Sequence, residues 1–140
     1  MDMVVIGVGA GWHGVGPLVV DLLRHMNVPD VRLAESDGDP AELVALWDKA
    51  DLAIVVEAVA ATGAPGRIRP MGLPGPQVGG GDGDAVTAAV VLGRSLGRMP
   101  ERLVRYGIEA DPDSAPLAPP VREACQRLAT QISALVAAPR

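Results

Sequence analysis

Cysteine is nearly missing from this 140-residue chain: Cys125 is the only one. An intramolecular disulfide and a thiolate-held metal cluster are therefore both excluded. Aromatic side chains are almost as scarce, with two Trp, one Tyr and no Phe. A core must then be assembled from Val, Leu, Ile, Ala and Met, and the stacking platforms that nucleic acids need are lacking. Basic residues are outnumbered, 12 Lys and Arg against 17 Asp and Glu, for a formal net charge of −5. An acidic surface repels phosphate backbones, so no nucleic-acid partner is expected; a basic tail or a metal ion suits it better. The longest apolar segment, 52–61, is interrupted by Glu57 and is too short to cross a bilayer. Asp2 stands where an export signal carries Lys or Arg, and the apolar stretch behind it soon runs into glycines. The expectation is a cytoplasmic protein, a monomer, with no membrane partner.

What is present alternates between strand and helix patterns. Val4-Val5-Ile6-Gly7-Val8 is a short apolar run ending in glycines, as a buried parallel strand should be. Pro17 suits the first position of a helix, with Leu18, Leu22 and Met26 at helical spacing and Asn27 as its stop. A second strand is expected at 31–34. A second helix starts at Asp39-Pro40-Ala41-Glu42, with Asp39 as cap and Glu42 closing a capping box, and buries Leu43, Leu46 and Trp47. The run 52–56 is the most apolar strand and the expected centre of the sheet. A weak strand at 66–70, with two Arg and a terminal Pro, belongs on an edge. The segment 72–84 is rich in Gly, Pro and Asp and reads as a loop. A helix bearing Val86, Val90, Gly93 and Leu96 follows, then a strand at 103–108 and a Pro-rich loop at 111–120. Val121, Cys125, Leu128, Ile132 and Leu135 mark a final amphipathic helix. This order implies a single three-layer α/β domain spanning residues 1–140. Its mostly parallel sheet has about five strands, with helices on both faces and ligands bound beyond the strand ends.

Three places on that functional edge could carry chemistry. The first is the glycine-rich turn 7–17, where Gly9, Gly11 and Gly14 match G-x-G-x-x-G, with Glu35 and Asp37 about twenty residues on. A small nucleotide-binding domain is one reading; a tight turn with close helix packing is the other, because Pro17 sets the helix start after the motif. The second place is Glu57, closing the apolar strand, where a carboxylate loses solvation and requires a partner, a metal or a proton. The third is Gly79-Gly80-Gly81-Asp82-Gly83-Asp84. His13 lies in the first turn, while His25 reads as a surface residue near a helix end and Cys125 as a core residue. No Gly-x-Ser-x-Gly elbow, no His-Glu-x-x-His and no basic strip occurs, so a serine or cysteine hydrolase has no support.

The order of these features resembles the hydrogenase maturation endopeptidases, which trim the C-terminal tail from the large subunit of nickel-iron hydrogenases. Val5-Ile6-Gly7-Val8-Gly9 looks like that family's opening strand and turn, and Gly14-Val15-Gly16-Pro17 like its helix start. The segment 50–59, ending Val56-Glu57-Ala58-Val59, resembles the strand that closes in Asp-Ala-Val. Ala64-Pro65-Gly66, the stretch 95–100, Tyr106-Gly107-Ile108-Glu109 and Leu117-Ala118-Pro119-Pro120-Val121 resemble later family segments in the same order. Family members place a carboxylate before Gly-Val-Gly-Pro, a second at the end of the central strand, and a histidine in the later loop. Here His13, Glu57 and Asp82 fall at those three places, and the turn after the second strand is altered to Glu35-Ser36-Asp37-Gly38.

The resemblance therefore implies a permuted set of one imidazole and two carboxylates. Such a set suits a borderline divalent ion: nickel carried by the immature substrate, or zinc in vitro. It further implies that His13, Glu57 and Asp82 are metal ligands, that Glu57 is the proton acceptor, and that the partner is a hydrogenase large-subunit precursor. A relative that binds the metallated precursor without cutting it is the alternative.

Overall fold

The computed structural model describes residues 1–9, 14–73, 85–111 and 118–138. These form nine elements in the order β1 (Met3–Val8), α1 (Val15–His25), β2 (Arg32–Ser36), α2 (Pro40–Trp47), β3 (Leu52–Ala60), β4 (Ile68–Met71), α3 (Ala85–Leu96), β5 (Arg102–Ala110) and α4 (Pro119–Ala137). The strands make one sheet in the order β2-β1-β3-β5-β4. β2, β1, β3 and β5 run parallel, and β4 pairs antiparallel with β5 at the edge. The α/β expectation holds, including the central place of β3 and the edge place of β4.

Period-two alternation divides the strand side chains between two cores. Val5, Ile54, Val56 and Ile108 pack under α1 and α4. Val4, Ile6, Ala53 and Val55 pack under α2 and α3. β3 is buried on both faces over its first six residues, which is why its sequence is a continuous apolar run and not an alternating one.

Helix ends and faces depart from the sequence pattern in instructive ways. α1 starts at Val15, with Gly14 as N-cap, so Pro17 is its third residue and not its first. The first intrahelical bond runs from Leu18 N–H to Gly14 O, so a missing N–H at Pro17 forfeits nothing. The buried residues of α1 are Val15, Gly16, Val19, Val20 and Leu23, whereas Met26 is exposed. Leu96 and Leu135 are exposed too, whereas Ala89 and Val136, outside the expected stripes, are buried. Asp39 does cap α2, without a side-chain hydrogen bond to it. Glu42 does not close a capping box; its Oε1 accepts from Ser36 Oγ, which ties α2 to the end of β2.

Trp47 is the largest fully buried side chain, and its Nε1–H donates to Arg98 O at 3.0 Å. Trp47→Phe keeps most of the apolar contact but leaves that carbonyl without its donor, at an expected cost of about 1–3 kcal/mol. Trp47→Ala should cost about 3–5 kcal/mol. Urea midpoints at constant slope would check both values, and equal losses for the two variants would contradict this description.

Cys125 is fully buried on α4, and burial pushes its thiol up to about 11. At pH 8 the native protein should resist iodoacetamide, labelling only after denaturation. Fast labelling of native protein would show that α4 lifts away from the sheet. The sign of the linkage also follows. The folded state holds the proton more tightly, so this stabilisation is complete below the unfolded thiol value and is lost as pH rises towards 11.

Candidate active site

In an open parallel sheet, ligands settle where neighbouring strands send their connections to opposite faces. Here that place lies between the carboxyl ends of β1 and β3, because the chain runs outward from β1 to β2 through α1 on one face and returns past β1 to β3 through α2 on the other. The last paired residues of the two strands are Gly7 and Val56. Glu57 is the next residue of β3, at the mouth of that crevice.

Alternation turns Glu57 to the α2/α3 side, with Ala53 and Val55. It is only 7 % exposed. Arg105 reaches it from β5, where it alternates with Leu103 on the same side. The Arg105 Nη2 donates to Glu57 Oε2 at 3.3 Å, and its Nη1 donates to the carbonyl of Gly72, just past β4, at 3.0 Å. Both side chains are buried, 3 % exposed for Arg105 and 9 % for Glu57. Arg105 thus joins three chain segments under low local dielectric, where an uncompensated carboxylate would be costly.

Gly107 separates this pair from a second charged cluster. It stands opposite Glu57 on one side and Arg69 on the other, and its missing side chain leaves room for Val59 and Met71. Beyond it, Glu109 is 1 % exposed. Its Oε1 accepts from Thr62 N–H at 2.9 Å and from Thr62 Oγ1 at 3.3 Å. Its Oε2 faces Arg67 and Arg69 at 3.9 and 3.8 Å. Glu109 therefore pins the turn between β3 and β4.

The glycine turn contributes packing. A Cβ on Gly7 would lie 2.3 Å from Gly16 O, and one on Gly16 would lie 2.5 Å from Val8 N. Gly9 N–H is spent on Ser36 O at 2.8 Å, so this donor is committed to joining β1 to β2 and is not aimed at a phosphate. These contacts support close helix packing as the purpose of the glycines.

Of the three sequence-derived ligands, Glu57 lies within β3 just past its last residue paired with β1, and not at the strand end expected from the sequence, because β3 continues along β5 to Ala60. His13 and Asp82 lie outside the described residues, between β1 and α1 and just ahead of α3 in the chain. Among the described residues no three His, Cys, Asp or Glu side chains gather to hold a metal. Glu57 fits a divalent ion by its chemistry, since a carboxylate oxygen is an ordinary ligand for nickel or zinc. The position beside its Oε2 is held by a guanidinium instead. Sequence reading missed Arg105; the available signal was a charge within the otherwise apolar Leu103-Val104-Arg105-Tyr106-Gly107-Ile108. A cleft of about 440 Å³, lined by Leu18, Leu22, Pro119, Arg122, Glu123 and Gln126, lies between α1 and α4, on the other face of the sheet from Glu57.

Solved structures of hydrogenase maturation proteases have this architecture. The hydrogenase maturating endopeptidase HybD from E. coli superposes with a TM-score of 0.72 at 20% identity, covering 97% of this chain and 92% of its own. The hydrogenase 2 maturation peptidase from a Thaumarchaeota archaeon gives 0.67 at 21% identity, over 98% and 99%. The [NiFe] hydrogenase maturation protease HycI from Thermococcus kodakarensis gives 0.63 at 21%, over 96% and 92%.

This chain has the hydrogenase maturation endopeptidase fold.

The resemblance read from the sequence therefore holds for the fold from end to end. No family model and no curated protein matches the chain. Within this fold Glu57 lies on the central strand just past its pairing with β1, and on the far side of β1 Ser36 Oγ accepts from Gly38 N–H at 3.0 Å in the altered turn after β2.

Proposed function

We propose that this chain is an endopeptidase of hydrogenase maturation, which removes the C-terminal tail of a nickel-iron hydrogenase large-subunit precursor and recognises the nickel already seated there. The observation that carries this reading is the buried carboxylate of Glu57 at the β1/β3 crevice, on a fold whose solved examples include hydrogenase maturation proteases. His13, Glu57 and Asp82 are the residues proposed to meet the substrate's nickel, which supplies Lewis-acid polarisation and positions the scissile peptide. Glu57 accepts a proton from the attacking water and passes it to the leaving amine. Arg105 holds that carboxylate in place. The site is proposed to work in a cytoplasmic monomer; no described helix is long and apolar enough to cross a membrane.

The Arg105–Glu57 pair also favours a second reading, a relative that binds the metallated precursor without cutting it. A guanidinium beside the carboxylate opposes the approach of another cation and weakens a base. A small, catalytic amount of chain mixed with nickel-loaded precursor separates the two. The endopeptidase reading expects every precursor to lose its tail, seen as a shortened protein and a free peptide by mass spectrometry. A one-to-one complex with the tail intact would replace it by the binding reading.

A further inference from the structure

We propose that Arg105 is a built-in occupant of the metal-facing carboxylate, a positioning residue that a divalent ion must displace from Glu57. This deepens the reading of Glu57 as a metal-facing residue and rests on it.

The geometry points there in three ways. The guanidinium approaches Oε2 at 3.3 Å, longer than the roughly 2.7–2.9 Å of an optimal charge-assisted bond, so the pair is held without being locked. Arg105 has a second anchor, the Gly72 carbonyl at 3.0 Å, and keeps it when Glu57 turns away. Both side chains are buried, so solvent screens little of the repulsion between the guanidinium and an arriving ion. The consequence is a site of low affinity for free metal. A metal already fixed in a protein substrate brings further binding energy and can win the carboxylate; a free ion must compete with Arg105 unaided.

The experiment titrates wild type, Arg105→Lys and Arg105→Gln with Zn²⁺ and Ni²⁺ by calorimetry, without any precursor. Arg105→Gln keeps a hydrogen-bonding amide and removes the charge. It should bind the ions on the order of tenfold more tightly or better, the repulsion having been removed. Arg105→Lys retains the charge and should stay close to wild type. Adding Glu57→Gln to Arg105→Gln should abolish the gain. A merely structural arginine would give equal or weaker binding in Arg105→Gln, or the same change with Lys as with Gln, and either result overturns the proposal.

Should loss of the Arg105 charge keep Arg105→Gln from folding, Zn²⁺ should restore its native circular dichroism, because the ion supplies a positive charge beside Glu57. Failure of Zn²⁺ to do so also overturns it. The processing function stands apart in this design. A chain that cleaves no precursor can still show the Arg105-dependent gain, and a chain that cleaves normally without the gain refutes this inference alone.

Discussion

Glu57→Gln should lower the rate of precursor cleavage by about 10²–10⁴-fold while leaving the protein folded. The magnitude is that of losing a positioned proton acceptor. The amide retains an oxygen that can accept from Arg105 Nη2, whose present distance to the carboxylate is 3.3 Å, so the shape of the site survives. Stability should fall by about 1–3 kcal/mol, the worth of a hydrogen bond to a charged group. Glu57→Ala is the informative companion. It removes the carboxylate from a buried ion pair, and should cost about 3–5 kcal/mol. Activity should therefore track the carboxylate, and stability the acceptor. Stopped-time cleavage and urea unfolding on the same preparations separate the two quantities. A Glu57→Gln protein that cleaves at the wild-type rate would remove Glu57 from the chemistry.

The second large effect belongs to the helix–strand contact. Gly16→Ala places a Cβ 2.5 Å from Val8 N, 2.6 Å from Val8 O and 2.8 Å from Gly7 C. All three are backbone atoms, which cannot swing aside as a side chain can. α1 must then lift from β1, disturbing Val15, Val19 and Val20, each 0 % exposed. Overpacking of this kind costs about 1–3 kcal/mol and sometimes more; with backbone on every side, a loss of about 3 kcal/mol or more is expected. That is a large share of a typical domain's roughly 5–15 kcal/mol. Gly14→Ala is the control, since among the described residues nothing lies within 4 Å of its added Cβ. As an N-cap change from Gly to Ala it should cost less than about 1 kcal/mol. Equal urea midpoints for the two variants would contradict the close approach of α1 and β1.

That contact also shows where the sequence was legible. Strand and helix identities follow from physical patterns that do not depend on partners. β3 is continuously apolar up to Glu57 because both its faces are covered there, and the segment 66–70, with Arg67, Arg69 and Pro70, suits only an edge. Helix faces were harder. A spacing of four picks out Leu18, Leu22 and Met26 equally well, yet the sheet selects the stripe through Val19, Val20 and Leu23. The glycines gave the right place and an ambiguous reason. G-x-G-x-x-G drew attention to Gly9, Gly11 and Gly14, while the tightest strand–helix approach falls on Gly7 and Gly16.

The site divides in the same way. Glu57 was visible because a carboxylate ending a buried strand is anomalous on its own. Arg105 was not, because its meaning depends on a neighbour 48 residues away that only the pairing of β3 with β5 supplies. Glu109 was noticed only within a family-like segment, and its work, pinning Thr62 and facing two arginines, appears only once β4 folds back along β5. Residue type announces a buried charge; topology decides which charge answers it.

In the proposed function, Glu57 acts on a precursor whose nickel is already in place. The most direct test is the initial rate of tail release by the wild-type chain from one precursor prepared nickel-loaded and nickel-free. The account expects release from the loaded precursor and none above background from the nickel-free one. Equal release from both, or no release from either, would contradict it.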